Sequence, residues 1–332
     1  MAATLEQDRE TGFRPPWWLR HAHVQSILPS LALRRAIIAR RCAEVRARSR
    51  PLILDCGADV RLLAQHTPAL RPNPQGAVLM LHGWEGDTEA LYMRALARRL
   101  LAGGFEVLRL NLRDHGGTQA LNPGLFHSCR LLEIIGAVRR AQDLFAGLPL
   151  HLAGFSLGGN FLLRVAADAP QAHLQLASVV AISPVLEPRA TLAAIESGLS
   201  VYHTYFVRKW RASLRAKQRA WPGLYQFADM EHLSSLRQMT AALVARYTEF
   251  PSLDDYLNGY SITGQRLAGL TVPATIITAA DDPIVPVADL ARVAASAKLR
   301  TLVTPFGGHC GFLTSLAGDT WAENAVVTQL LR

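Results

Sequence analysis

The sequence predicts an α/β domain built on a mostly parallel central sheet with helices on both faces. Three observations carry that prediction. From Gly76 onward, short apolar runs alternate with stretches of helical length and pattern, as parallel strands joined by crossover helices do. Ala77-Val78-Leu79-Met80-Leu81 is apolar at every position, which a strand covered on both faces requires. Finally, Leu150 to Phe155 leads through Gly154-Phe155-Ser156-Leu157-Gly158-Gly159-Asn160 into a helix-like run, Phe161 to Ala169. A strand, a tight turn and a helix in that order form an elbow that lifts the serine hydroxyl above the sheet.

Residues 1–50 read as an N-terminal extension packed on the body. Phe13-Arg14-Pro15-Pro16-Trp17-Trp18-Leu19 is a proline-stiffened aromatic segment, expected to be extended. Leu31 to Arg41 mixes apolar residues with arginine, which suits a helix packed on the domain or a basic stretch on a membrane surface. Leu52-Ile53-Leu54 and Val60 to Ala64 flank Gly57-Ala58-Asp59 and predict a β-hairpin. In the domain spanning 51–332, Asp87 or Thr88 can cap a helix running to about Leu101, which Gly103-Gly104 ends. Phe105 to Leu110 is the next strand and Leu131 to Phe145 the next helix. Beyond the elbow, strands are expected at Leu176 to Ile182, Ala274 to Ala279 and Leu299 to Thr304, with a closing helix from about Phe312 to Leu330. Between about 184 and 261 the alternation stops. That interval is too long for a simple connection, and it predicts a helical cap over the C-terminal edge of the sheet, where open α/β sheets place ligands. It carries Arg208, Lys209, Arg211, Arg215, Lys217 and Arg219, read as a solvated helix face or a guide for anionic substrates.

Composition narrows the function classes. Half of the chain is hydrophobic and 18% is charged, so it can bury a large core and is not disordered. No apolar run reaches the roughly 18 residues a membrane span needs. Met1 to Glu10 lacks the basic start and apolar core of a signal peptide. Cys42, Cys56, Cys129 and Cys310 show no metal or redox spacing, and a reduced, cytoplasmic protein is the simplest expectation. The formal charge of +9 permits contact with anionic lipid, but no nucleic-acid motif accompanies it.

A serine hydroxyl needs a base to take its proton and an acid to orient that base. Downstream of the elbow, Asp281-Asp282-Pro283 leaves one strand end, and Gly307-Gly308-His309 leaves the next. The order Ser, Asp, His is that of the α/β-hydrolase fold, and it assigns Ser156 as nucleophile, His309 as base and an aspartate of the pair as acid. The turn pattern before Val285-Pro286 places Asp282 in the acid position and turns Asp281 aside to brace the loop. The oxyanion donors are expected to be the N–H groups of Leu157 and of Trp84, in Leu81-His82-Gly83-Trp84-Glu85-Gly86. His115 and His127 lack cysteine or acidic partners at ligand spacing and are read as loop structure.

These residues resemble the YheT-like branch of the α/β-hydrolases, a group of bacterial esterases and eukaryotic abhydrolase-domain lipid esterases. The similarity runs from Phe13 almost to the end. It includes Phe13-x-Pro15 with Trp18-Leu19, His23-x-Gln25, His82-Gly83-Trp84-Glu85-Gly86, Asn111-Leu112-Arg113, Phe126-His127 and the serine elbow. It continues through Asp255-Tyr256 with Ser261, Asp281-Asp282-Pro283 and Gly307-Gly308-His309-x-Gly311-Phe312. The resemblance implies hydrolysis of carboxylic esters with apolar acyl groups, and it carries the triad onto Ser156, an aspartate of the 281/282 pair and His309. Asp114-His115-Gly116-Gly117 and Phe126 depart from the family pattern, and both lie in a loop near the site.

The expected protein is thus a cofactor-free, metal-free serine esterase acting on small-molecule or lipid esters. An acyltransferase or thioesterase would use the same triad, and a non-catalytic binding protein could use the same scaffold. Peripheral membrane contact fits the basic segments, and oligomeric state is not legible in the sequence.

Overall fold

Residues 12–230 and 232–332 are described by a computed structural model of the chain. The expectation that Met1 to Glu10 is no signal peptide lies outside the described residues. Three helices come first, α1 (Ala22–Ile27), α2 (Ala32–Arg41) and α3 (Ala43–Arg48), and the strands follow as β1 (Arg50–Asp55), β2 (Arg61–Thr67), β3 (Gly76–Leu81), β4 (Phe105–Leu110), β5 (Leu150–Phe155), β6 (Ser178–Ile182), β7 (Ala274–Ala279) and β8 (Leu299–Thr304). They form one sheet in the order β1-β2-β4-β3-β5-β6-β7-β8. The pairs β1–β2 and β2–β4 are antiparallel and every other pair is parallel. The hairpin turn puts Gly57, Ala58 and Asp59 at positive φ, and the Asp55 carboxylate accepts the Gly57 N–H to make that turn affordable.

Every residue of β3, β5 and β7 is buried, because helices cover both faces. On one face Leu79, Leu81 and Leu152 pack against α5 (Leu131–Leu144) and α6 (Leu157–Ala167) through Val138, Phe161 and Val165. On the other, Val78, Met80 and Val180 meet Leu96 and Leu100 of α4 (Leu91–Ala102) and Val326 of α11 (Trp321–Leu330), numbered here after the insertion helices α7–α10 described below. Each such leucine or valine contributes roughly 1.5–3 kcal/mol by burial. The alternation along β3 thus divides one strand between two cores.

Helix ends show where long-range contacts override local signals. Neither Asp87 nor Thr88 caps α4, whose N-cap is Ala90 without a side-chain bond. The Thr88 N–H donates to Asn111 Oδ1 at 2.8 Å, and its carbonyl accepts from the Arg109 guanidinium. Residues 87–90 are therefore tied to the β4 edge and cannot wind into the helix. The closing helix is shorter than expected, since Phe312 sits at φ +46° and α11 starts only after the cap Thr320. The carbonyls of Leu316 and Gly318 in between accept from the Arg34 guanidinium of α2. After Pro286 only a 3-10 helix forms, over Val287–Arg292. Trp17–Leu19, expected to be extended, is also a 3-10 turn.

Between β6 and β7 lie α7 (Pro188–Ser197), α8 (Ser200–Ala220), α9 (Leu236–Tyr247) and α10 (Leu253–Gly259), with no strand among the described residues. Lys217 of α8 is fully buried, which corrects its reading as part of a solvated cationic face. Its Nζ donates to Asp114 Oδ1 at 2.8 Å and to the carbonyls of Asn122 and Gly124 at 2.7 and 2.9 Å. An ammonium has three protons, so this one is saturated. Burial pushes the Asp114 carboxyl up and pulls the Lys217 amine down, and each opposes the other's shift. Lys217→Met would leave the Asp114 carboxylate buried without its cation. We expect it to lower the unfolding free energy by about 3–5 kcal/mol, measured by urea denaturation. Combining it with Asp114→Asn should recover part of that loss.

Candidate active site

The strand-to-helix turn between β5 and α6 is sharp because the chain allows it at three places. Ser156 adopts φ +50° and ψ −119°, a region that side chains rarely occupy and that is seen at strained functional sites. A Cβ on Gly154 would come within 2.7 Å of the Gly158 backbone, and one on Gly158 within 2.4 Å of the carbonyls of Leu81 and His82. Both positions therefore require glycine, and the backbone at the end of β3 presses against the start of α6. The Ser156 N–H donates to the Ile182 carbonyl at 2.8 Å, which fixes the turn to β6.

His309 follows β8 and reaches back over the elbow. Its Nε2 lies 3.0 Å from Ser156 Oγ, and its Nδ1 lies 2.9 Å from Asp282 Oδ2. The other Asp282 oxygen accepts the N–H groups of Ile284 and Val285 at 2.8 and 3.0 Å. Asp281 faces away from the ring, and its Oδ1 accepts the Gly308 N–H at 2.9 Å. The two adjacent carboxylates thus have separate tasks, one on the imidazole and one on the loop that carries it. Burial pulls the His309 pKa down, yet the Asp282 charge and the hydrogen bond to it outweigh burial and hold it well above 6.5.

The N-terminal segment supports the same loop, which sequence reasoning did not find. Ser26 Oγ accepts the His309 N–H at 2.9 Å. Gln25 is fully buried, donates to the Leu19 carbonyl at 2.7 Å and accepts the Leu313 N–H at 2.6 Å. A Cβ on Gly308 or Gly311 would collide with the backbone of Ala22 or Gln25. The only prior signal was the motif His23-x-Gln25, whose role emerges from contacts across nearly the whole chain.

Facing the serine is the turn after β3. Its first residue, His82, is fully buried, and burial lowers its pKa to about 4. A neutral ring has one N–H. Nε2 accepts the Leu112 N–H at 3.1 Å, so Nδ1 donates to the Gly83 carbonyl at 2.7 Å. Tyr92 Oη accepts the Gly83 N–H, and Lys209 Nζ of α8 donates to the Glu85 carbonyl at 2.9 Å. The Trp84 ring stacks on Phe206 and meets Trp210 edge-on. Among the described residues, neither the Trp84 N–H nor the Leu157 N–H has a hydrogen-bond partner. Trp84, Leu157, Ser156 and His309 all line one cavity of about 760 Å³, so two free donors and a hydroxyl held by an imidazole meet in one space. That arrangement can attack a carbonyl and receive the charge that develops on its oxygen. Glu85 sits at φ +55° in the same wall, and burial raises its carboxyl to about 7.

His115 and His127 lie in loops, where His115 Nδ1 donates to the Arg113 carbonyl and burial lowers both rings, to about 3 and about 4. The four cysteines are free, and Cys310 lines the cavity beside His309.

Comparison with known proteins agrees with the fold. Residues 76–316 match a family model described as the alpha/beta hydrolase fold. The putative esterase YheT of Escherichia coli (strain K12) is 24% identical over 95% of this chain and 91% of its own. Phospholipase ABHD3 of Mus musculus is 21% identical over 72% of this chain, which spans 59% of that longer protein. Among solved structures, the Pyrococcus furiosus esterase Pf2001 superposes with a TM-score of 0.58 at 16% identity, covering 89% of this chain and 95% of its own. Est1E from Butyrivibrio proteoclasticus, with ferulic acid bound, gives 0.54 at 18% identity over 84% and 98%.

The two aspartates can be told apart by titration. Followed by NMR, the His309 imidazole should titrate with a midpoint above 6.5, because Asp282 favours the charged ring. Asp282→Asn should bring that midpoint down, while Asp281→Asn should leave it nearly in place. A larger drop in the Asp281 variant would exchange their assignments.

Proposed function

Because the chain belongs to the α/β-hydrolase fold family, as a YheT-like member, we propose that it is a serine esterase that cleaves carboxylic esters through an acyl-enzyme. The observation that supports this most is the unbroken hydrogen-bonded series from Ser156 through His309 to Asp282. Esterase-named relatives and the hydrolase fold support ester hydrolysis.

In this reading the neutral His309 takes the Ser156 proton as Oγ attacks the ester carbonyl, and Asp282 stabilises the imidazolium that results. The carbonyl oxygen becomes an oxyanion and is met by the N–H groups of Leu157 and Trp84, donors fixed before the substrate arrives. The imidazolium returns the proton to the leaving alcohol. Water, deprotonated by the same ring, then releases the acid and regenerates Ser156. No step calls on a cofactor. The insertion helices act as a cap: Leu192, Ile195, Leu236, Leu243 and Leu257 line the cavity and suit an apolar acyl group.

A fluorophosphonate should label Ser156 alone, and mass spectrometry should find no label in Ser156→Ala. Asp282→Asn should lower kcat on nitrophenyl esters by about 10⁴-fold, with its melting temperature little changed. The acid limb of the kcat/KM profile should rise with a midpoint above pH 6.5, since a raised His309 pKa keeps the base protonated to higher pH. Labelling that persists in Ser156→Ala would remove the elbow from the reaction.

A further inference from the structure

The cavity around Ser156 has two kinds of wall. The part supplied by α7, α9 and α10 is mainly apolar, with Thr191 and Thr240 among its leucines. The part supplied by α2 and α4, together with the turn before α4, contains Arg35, Arg94, Asp87 and Glu89. Ile38 and Cys42 of α2 pack on Leu91 and Ala95 of α4. Arg35 lies one turn before Ile38, and Arg94 one turn after Leu91, so both guanidiniums rise from the stripes along which the two helices face each other.

Two buried cations among the described residues are well satisfied. Lys217 is saturated, and Arg113 makes a two-pronged pair with Glu133. Arg94 is different. Its guanidinium makes no hydrogen bond or ion pair with any described residue, and its Nε is buried without a partner. Arg35 is exposed and has one long contact, 3.5 Å to the Ser30 carbonyl. Of the carboxylates in the same wall, Glu89 pairs with Arg109 at 3.0 Å and Asp87 accepts the Glu89 N–H at 2.8 Å, and neither bonds Arg94. A buried guanidinium N–H without an acceptor is costly. An anion in the cavity, which both arginines line, would relieve it. The planar fork of arginine matches the oxygens of a carboxylate or phosphate.

We propose that Arg94 and Arg35 form an anion subsite of the ester cavity, which selects esters with an apolar acyl chain and a carboxylate or phosphate on the remaining portion. The proposal rests on the serine-esterase reading for its turnover but not for its binding, and the two fail separately. Octyl phosphate, which has no ester for the serine to cleave at a carbonyl, probes the subsite alone. Its binding to the full chain, followed by tryptophan fluorescence, should be tighter than that of octanol and of octyltrimethylammonium. Arg94→Gln should weaken it about tenfold or more, the range expected of a charge-assisted pair, and Arg94→Lys should restore part. Arg35→Gln, at an exposed position, provides a second variant with little risk to folding.

In kinetics, octanoyl esters of glycerol phosphate and of lactate should lose about tenfold in kcat/KM through KM in Arg94→Gln, while octanoyl glycerol stays within about twofold. Phosphatidate vesicles beside the soluble esters distinguish a lipid headgroup from a free organic anion, and Arg94 dependence in either arm supports the subsite. Equal losses on charged and neutral esters, or octyl phosphate binding unchanged in both arginine variants, would overturn it. Absence of all hydrolysis together with intact octyl phosphate binding would instead sink the esterase reading and leave the subsite standing.

Discussion

The left-handed backbone of Ser156 is the constraint on which the site depends. Its φ of +50° is unfavourable for a residue with a side chain, so the surrounding structure must hold it. It does so by pinning the Ser156 N–H to β6 and by pressing α6 so close to β5 and β3 that Gly154 and Gly158 admit no Cβ. The sheet is therefore more than a scaffold. Its buried parallel strands make the crossing rigid, and the crossing aims both the hydroxyl and the Leu157 N–H into the cavity.

The partners of the serine are held by segments from opposite ends of the chain. His309 sits on a glycine loop that has little rigidity of its own, and Ser26, Gln25 and Asp281 supply what it lacks. Removing the N-terminal segment would thus leave the imidazole with its acid and the Asp281 brace but without the Ser26 and Gln25 anchors. The turn opposite is similarly over-determined. His82 bonds it from below, Tyr92 from the side, and Lys209 with Phe206 and Trp210 of α8 hold it from the insertion. Because α8 is itself locked to the body by Lys217, any shift of the insertion would be felt at Trp84. Lining the cavity and holding the Trp84 turn are coupled through one helix.

The charges of α8 divide by environment. Lys217 is used inside the fold and Lys209 on the turn, whereas Arg94, half-buried and without a side-chain hydrogen bond among the described residues, comes from α4 in the body. A cluster of cations in a sequence therefore says little about which of them meets a ligand. The decisive quantity is the number of acceptors each finds after folding.

The sequence by itself determined the sheet and the strand-turn-helix elbow, and it put the serine, aspartates and histidine at strand ends. Those are local signals: apolar runs for doubly covered strands, glycines where backbones cross, and a histidine and aspartates at strand ends. It also separated Asp282 from Asp281 by their placement in the turn, and the hydrogen bonds of the two carboxylates run in that sense. Tertiary structure alone decided the rest. Thr88 and Asp87 look like helix caps until Asn111 and Arg109 claim that segment, and Phe312 to Thr320 looks helical until Arg34 takes its carbonyls. Gln25, Ser26 and Lys217 acquire their roles only across contacts between distant parts of the chain, which no local pattern encodes. Propensity is worth tenths of a kcal/mol per residue, and a buried polar group satisfied or left unpaired is worth several times more. Where the two conflict, the distant partner wins.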